Sequence, residues 1–273
     1  MPERLLRQAP SRDRGLFMDV SVTVIIPARY ASSRFPGKPL ALLAGKPLIQ
    51  HVYQGAATSP LVGRVLVAAD DRRIYDAVRG FGGEAMMVEG AFRTGTDRVA
   101  AVARQLPGEI FVNCQGDEIA LHHDFLTDVI RPFVTSEAGM GTLQRRLTST
   151  DQIGNPGVVK VVTNQQGEAL YFSRAPIPYV RDQGNPNHPG ARHYLHLGVY
   201  IFRRDTLRRF AELPTGRLED AEKLEQLRAL EHGIPIRVWE TVHPSLRIDT
   251  PEDLQHALPI LTNLAQSMAE VRM

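Results

Sequence analysis

Three cations, Arg29, Arg34 and Lys38, fall within one short stretch, VTVIIPARYASSRFPGKPL. It opens as an apolar strand over residues 22–26 and breaks into a loop in which proline and glycine bracket Lys38. Cations on a loop leaving the first strand of an α/β domain do little for packing. They are well placed to hold a polyanion at the carboxyl edge of a parallel sheet, where ligands of open α/β folds bind. The position favours phosphate binding, with a nucleoside triphosphate as the natural ligand, over a merely solvated basic loop.

Two carboxylates complement the cations. Gln115, Gly116, Asp117 and Glu118 directly follow the apolar run IFVNC, and Gly116 permits a tight turn that points Asp117 from the strand end. Far along the chain, Asp249 closes HPSLRID ahead of a helix. Two carboxylates delivered to one cleft suit Mg²⁺, which takes one or two carboxylates plus phosphate oxygens. Each has a plainer reading: a turn aspartate for Asp117, a helix N-cap for Asp249. A third group, RTGTDR, sets small hydroxyl residues around Gly95, where the backbone can approach a planar base; N-capping by Thr94 or Thr96 competes.

The elements that must position these residues alternate in the first half. Strands are expected over 22–26, 64–69, 84–88 and 110–114, and helices over 47–57, 72–81, 96–105 and 124–134. This pattern indicates a mostly parallel sheet covered on both faces. Strand-like runs at 157–163, 169–172 and 196–202, with a Pro/Gly-rich loop at 181–192, suggest a smaller antiparallel element beside that sheet, roughly 155–203. One strong helix is expected over 217–232, a strand over 236–240, and a closing helix over 251–271. Residues 1–20 read as an extension that is not a signal peptide, and residues 21–273 as a single domain.

Composition narrows the class. The chain has 273 residues, 43% hydrophobic and 23% charged, with a formal net charge of +2. This fits a globular protein and does not favour a nucleic-acid partner. No apolar run approaches the ~20 residues of a membrane span. The single cysteine, Cys114, sits in an apolar run, rules out an internal disulfide framework and fits the cytoplasm.

The ordered run IPARYASSRFPGKPL, GTDR, NCQGDE, YFSRAPIP, HLGVY, LEQLRALEHG and IDTPEDL resembles the CMP-Kdo synthetases, the 3-deoxy-manno-octulosonate cytidylyltransferases. The resemblance implies a nucleotide-diphospho-sugar-transferase-like, Rossmann-like α/β fold, usually dimeric. It implies transfer of CMP from CTP to the acidic lipopolysaccharide sugar Kdo with Mg²⁺, releasing pyrophosphate. It further implies that Arg29 and Lys38, with Arg34, meet the CTP phosphates; that Thr94, Gly95 and Gln115 lie near the nucleotide; and that Asp117 and Asp249 hold magnesium. Arg174, His196, Tyr200, Glu225 and Gln226 would line the acceptor pocket. Arg29, Lys38 and Asp117 are the expected catalytic residues.

The chain departs from that pattern in places. IALHHDF follows GDE where proline is usual, Ala69 and Thr94 replace a threonine and a serine, and Arg247 stands where a glycine-bearing segment is expected. Arg247 suggests a planar fork facing the acceptor. It keeps open a phosphonate acid such as phosphonoformate, or 8-amino-Kdo, as alternative acceptors. His122 and His123 read as a surface pair or as extra acceptor contacts, without a recognisable zinc pattern. An inactive nucleotide-binding scaffold is disfavoured, because Arg29, Lys38, Asp117 and Asp249 are all present.

Overall fold

The computed structural model describes residues 21–31, 35–120, 122–181 and 192–270. Arg34, the N-terminal extension and most of the Pro/Gly-rich loop lie outside the described residues. In chain order the elements are β1 (Val22–Ala28), a 3-10 turn (Lys38–Leu40), β2 (Leu42–Leu43), β3 (Lys46–Pro47), α1 (Leu48–Ala57), β4 (Arg64–Ala69), α2 (Arg72–Gly80), β5 (Ala85–Met87) and α3 (Gly95–Ala103). There follow β6 (Ile110–Cys114), β7 (Glu118–Ala120), α4 (Asp124–Val134), β8 (Met140–Arg146), α5 (Thr150–Gly154), β9 (Lys160–Thr163), β10 (Ala169–Ser173) and β11 (Tyr194–Arg203). The chain closes with α6 (Arg204–Glu212), α7 (Arg217–Glu222), α8 (Gln226–Glu231), β12 (Arg237–Glu240), β13 (Ser245–Arg247) and α9 (Pro251–Glu270).

The main sheet runs β10-β9-β11-β6-β1-β4-β5, with β8 pairing both β11 and β12. Strands β6, β1, β4 and β5 are parallel, with Val24 opposite both Val112 and Val65. Their near-continuous apolar sequences follow from burial on both faces. Val24, Ile26, Val67 and Val112 pack against α1, α2 and α4; Ile25, Leu66 and Phe111 pack against α3, α6 and α8. Each fully buried aliphatic side chain contributes about 1.5–3 kcal/mol. A surface pair such as Arg72–Asp76 contributes under about 1 kcal/mol, so the two clusters hold the sheet together.

Two sequence expectations need correction. The antiparallel strands do not lie beside the main sheet. β11 runs antiparallel to β6 and continues it, with β8, which the sequence reading missed, on the same strand. The expected helix over 217–232 is two helices. Lys223 adopts the left-handed conformation (φ 53°), and its N–H bonds to Glu219 O. That conformation costs about 1–2 kcal/mol for a side-chain-bearing residue.

Buried charge offsets that cost. Arg228 is fully buried, with Nη1 2.9 Å from Asp97 Oδ1 and Nη2 2.6 Å from Glu219 Oε1. It fastens α8 to α7 and α3 together. Removing only the cation leaves the buried Glu219 carboxylate without its cation and Asp97 with Arg93 alone, at 3.4 Å, so Arg228→Met is expected to destabilise the fold by about 3–5 kcal/mol. Urea unfolding at pH 7 measures this; a loss below about 1 kcal/mol would contradict the pairing.

Candidate active site

Three chain segments meet at the carboxyl edge of the sheet. The loop after β1 brings Arg29 and Lys38, the turn after β6 brings Gln115 and Asp117, and the end of β13 brings Arg247 and Asp249. Gly37 turns the first loop with φ 71°, and its N–H bonds to Tyr30 O at 2.9 Å. Lys38 then reaches toward Asp117. Gly116 is required where it stands, because a Cβ there would lie 2.8 Å from Pro27 O.

The aspartates converge because β7 and β13 form an antiparallel ribbon, with Arg247 opposite Glu118. One residue beyond that pair, Ile248 N–H donates to Asp117 O at 2.9 Å. Glu118 is buried and locks the ribbon. It accepts from Ser245 Oγ at 2.6 Å and from the Gly198 N–H of β11 at 3.3 Å. Burial raises its pKa above the usual carboxylate value.

Lys38 Nζ lies 2.6 Å from Asp117 Oδ2 and 3.7 Å from Asp249 Oδ1, and donates to Ile248 O at 2.9 Å. The two carboxylates are thus arranged around one cation. Asp249 is not the helix cap. Asp253 Oδ2 accepts from the Asp249 and Thr250 N–H groups, and Thr250 Oγ1 accepts from the Asp253 N–H, closing a capping box without the Asp249 carboxylate. That carboxylate instead lies 3.0 Å from Arg247 Nε.

Two cavities flank these groups. One, of about 230 Å³, is lined by Arg29, Lys38, Phe92, Arg98, Asp249 and the loop around Gly95. The other, of about 440 Å³, is lined by Arg174, His196, Tyr200, Lys223, Glu225 and Gln226, among others. Arg93, Thr94, Gly95, Gln115, Asp117 and Arg247 line both. Thr94 caps α3 in a box with Asp97, so its capping role and its place on the cavity wall coexist. A Cβ on Gly95 would approach Gln115 Oε1 to 3.1 Å and Pro27 Cγ to 3.2 Å.

The larger cavity has a hydrogen-bonded floor. Tyr200 Oη donates to Gln226 Oε1 at 2.9 Å, and Gln226 Nε2 lies 3.5 Å from His196 Nδ1. His196 Nε2 lies 3.0 Å from Thr142 Oγ1, which reaches Val199 O at 2.6 Å. This chain of bonds assigns the His196 proton to Nε2. Burial, with Arg247 adding to it, lowers the His196 pKa to about 3, so the ring is neutral at physiological pH. Arg174 is fixed by Nε donating to Glu222 O at 2.8 Å, while the buried Lys160 donates to Arg174 O at 2.6 Å.

Glu225 lines the larger cavity and not the smaller; it accepts from Thr96 Oγ1 at 2.8 Å and from Gln115 Nε2 at 3.4 Å, a residue on the wall that the two cavities share. Burial raises its pKa. His122 and His123 line neither cavity. Arg93, Arg98, Phe92 and Lys223 were missed as wall residues. The RTGTDR motif contains Arg93 and Arg98 and could have signalled them. Nothing local announces Lys223, which reaches the wall through the helix break.

A family model described as Cytidylyltransferase matches residues 23–238. The 3-deoxy-manno-octulosonate cytidylyltransferase of Geobacter sulfurreducens is 50% identical over 246 residues, covering 88% of this chain and 98% of the relative. That of Geobacter metallireducens is 47% identical over 250 residues, covering 89% and 98%. A CMP:2-keto-3-deoxy-manno-octonic acid synthetase solved with CTP superposes with a TM-score of 0.81 at 40% identity, covering 89% of this chain and 99% of that one. A Bacillus anthracis protein assigned as a glucose-1-phosphate thymidylyltransferase superposes with a TM-score of 0.60 at 16% identity, which shows a common fold alone. The chain belongs to the cytidylyltransferase family, among the 3-deoxy-manno-octulosonate cytidylyltransferases.

Proposed function

We propose that this protein transfers CMP from CTP to 3-deoxy-manno-octulosonate and releases pyrophosphate. The carrying observation is the shared wall of the two cavities, with Asp117 and Arg247 at their junction. A nucleotide on one side and an acid on the other would meet there. The relatives bear the Kdo name, and they lend no support to a phosphonate or 8-amino-Kdo acceptor.

The roles follow from position. The nucleotide base lies against Thr94, Gly95 and Gln115, and its phosphates meet Arg29 and Lys38. Arg174, His196, Tyr200, Glu225, Gln226 and Arg247 line the acceptor side. An acceptor oxygen attacks the α-phosphorus, and the bond to the leaving pyrophosphate breaks. The protein gathers two anions, lowers their repulsion and aligns the attack. Neutral His196 adds no charge to the pocket, and with its ring nitrogens bonded to Gln226 and Thr142 it holds the floor in place.

Asp117 and Asp249 fit a small divalent ion such as Mg²⁺, because one ammonium already lies between them and both donors are hard oxygens. Such an ion would supply charge neutralisation and a more acidic attacking hydroxyl. No helix among the described residues is long and apolar enough to cross a membrane. We place the enzyme in the cytoplasm as a single domain over 21–273 and a homodimer, with exposed Leu170 on the edge strand β10 and exposed Tyr179 after it available to the interface.

Pyrophosphate release from CTP tests the reading. It is expected to require both Kdo and Mg²⁺; no release with Kdo, or faster release with small phosphonates, would contradict it. Arg247→Gly is expected to raise the KM for the acceptor about tenfold or more, with the KM for CTP changed far less, because a guanidinium hydrogen bond to an anion contributes about 1.5–3 kcal/mol. An unchanged acceptor KM would remove Arg247 from that pocket.

A further inference from the structure

The β7–β13 ribbon has a second end. Where one end presents Asp117 and Asp249, the other brings together side chains that the transfer reaction does not use. His122 follows β7 and His243 precedes β13. Their imidazoles stack with centroids 4.0 Å apart and planes 2° apart. Asp124, the first residue of α4, lies within reach of both. Its Oδ2 is 3.7 Å from His122 Nδ1 and 4.0 Å from His243 Nε2. One donor atom from each of the three residues falls within 4.8 Å of the others. His123 Nε2 lies 3.6 Å from the same Asp124 oxygen, and Asp128 Oδ2 lies 3.9 Å from His243 Nε2.

We propose that His122, Asp124 and His243 form a binding site for one divalent transition-metal ion of the zinc class, separate from the aspartate pair. Two imidazoles and a carboxylate are the donor set that selects zinc, cobalt or nickel over magnesium. The sequence showed no zinc spacing because the second histidine comes from a distant segment and only the ribbon pairing delivers it. Donor atoms of a tetrahedral zinc site lie about 3.3 Å apart. The cluster therefore contracts from separations of up to 4.8 Å, and one ring turns out of the stack so that both nitrogens face the ion. His122, 41% exposed, has room to turn. Water would complete the four-coordinate shell, with Asp128, held by Thr241 Oγ1 at 2.5 Å, beside His243. Burial, helped by the neighbouring His243 and His123, lowers the His122 pKa. His122 Nδ1 accepts from the Asp124 N–H at 3.1 Å, so the ring takes an ion through Nε2 or exchanges that bond for it.

The consequence is a clamp. An ion here cross-links the β7–α4 junction to the segment entering β13, and closes the ribbon that sets the spacing of Asp117 and Asp249. This does not depend on the acceptor being Kdo.

The test uses the full chain, stripped with chelator and kept in excess Mg²⁺ so that the aspartate pair is not the site read out. Co²⁺ titration is expected to give the visible absorption of a low-coordinate site at roughly one equivalent, displaced by Zn²⁺. His243→Gln is expected to weaken Co²⁺ binding by about 100-fold or more, as is His122→Gln. Zn²⁺ is expected to raise the melting temperature of the wild type by several degrees and that of neither variant. Both variants should keep the metal-free melting temperature to within a few degrees, because neither ring is fully buried and their pairs with Asp124 are 3.7 Å or longer. Absence of stoichiometric Co²⁺ binding, or equal affinity in the wild type and both variants, would overturn the proposal.

Discussion

Replacing Asp117 with asparagine is expected to lower kcat by about 10³-fold or more while leaving the fold intact. The change keeps shape and removes charge. Asp117 is held in place by its backbone, through the Ile248 N–H bond to its carbonyl, so the side chain is not needed to fold the turn. Its carboxylate is the closest anion to Lys38, at 2.6 Å, and lies at the junction of both cavities. The Asp117→Asn variant would retain Asp249 as the only carboxylate of the proposed pair, weakening the hold on a divalent ion just where negative charge must be offset. The assay is pyrophosphate release across a Mg²⁺ titration, with circular dichroism as the folding control. A kcat within tenfold of wild type at saturating Mg²⁺ would remove Asp117 from the metal assignment.

Lys38→Met is expected to act in two opposite directions. The substitution keeps the apolar stem and deletes the ammonium. Without CTP, the variant should bind Mn²⁺ more tightly than wild type, because the cation lying between Asp117 and Asp249 is gone and the two carboxylates face each other with less compensation. With CTP, kcat/KM for the nucleotide should fall about 10²–10³-fold, because a preorganised positive charge near the phosphates has been lost. Mn²⁺ binding followed by electron paramagnetic resonance and steady-state kinetics separate the two effects. If Mn²⁺ affinity and CTP turnover both stay at wild-type values, Lys38 has neither place. A plain loss of stability would lower both and would not give this divergence.

The parts of this site legible in the sequence were those fixed by local chemistry. The apolar run before Arg29, the glycine between Gln115 and Asp117, and the Thr94–Asp97 spacing each announce a strand end, a turn or a cap from neighbouring residues. The alternation of β1, α1, β4, α2, β5 and α3 was legible for the same reason: each element buries its own periodic face. What escaped depends on distant partners. The helix break at Lys223 is invisible in a segment rich in Leu, Glu and Ala, because the buried Arg228 bonds to Asp97 and Glu219 are tertiary. β8 was missed because its polar end, Gln144–Arg146, masks a strand that is buried only once β11 and β12 flank it. Asp249 was ambiguous in sequence. The structure removes the capping reading, because Thr250 and Asp253 do the capping. His122 stayed a surface residue in the sequence reading until the ribbon set His243 against it.

The most direct measurement is a crystal of this protein soaked with Mn²⁺ and CTP, with anomalous scattering collected at the manganese edge. The account predicts an anomalous peak coordinated by both Asp117 and Asp249, with triphosphate oxygens beside it and the cytosine against Gly95. A triphosphate bound away from Lys38, or no manganese between the two aspartates, would contradict it.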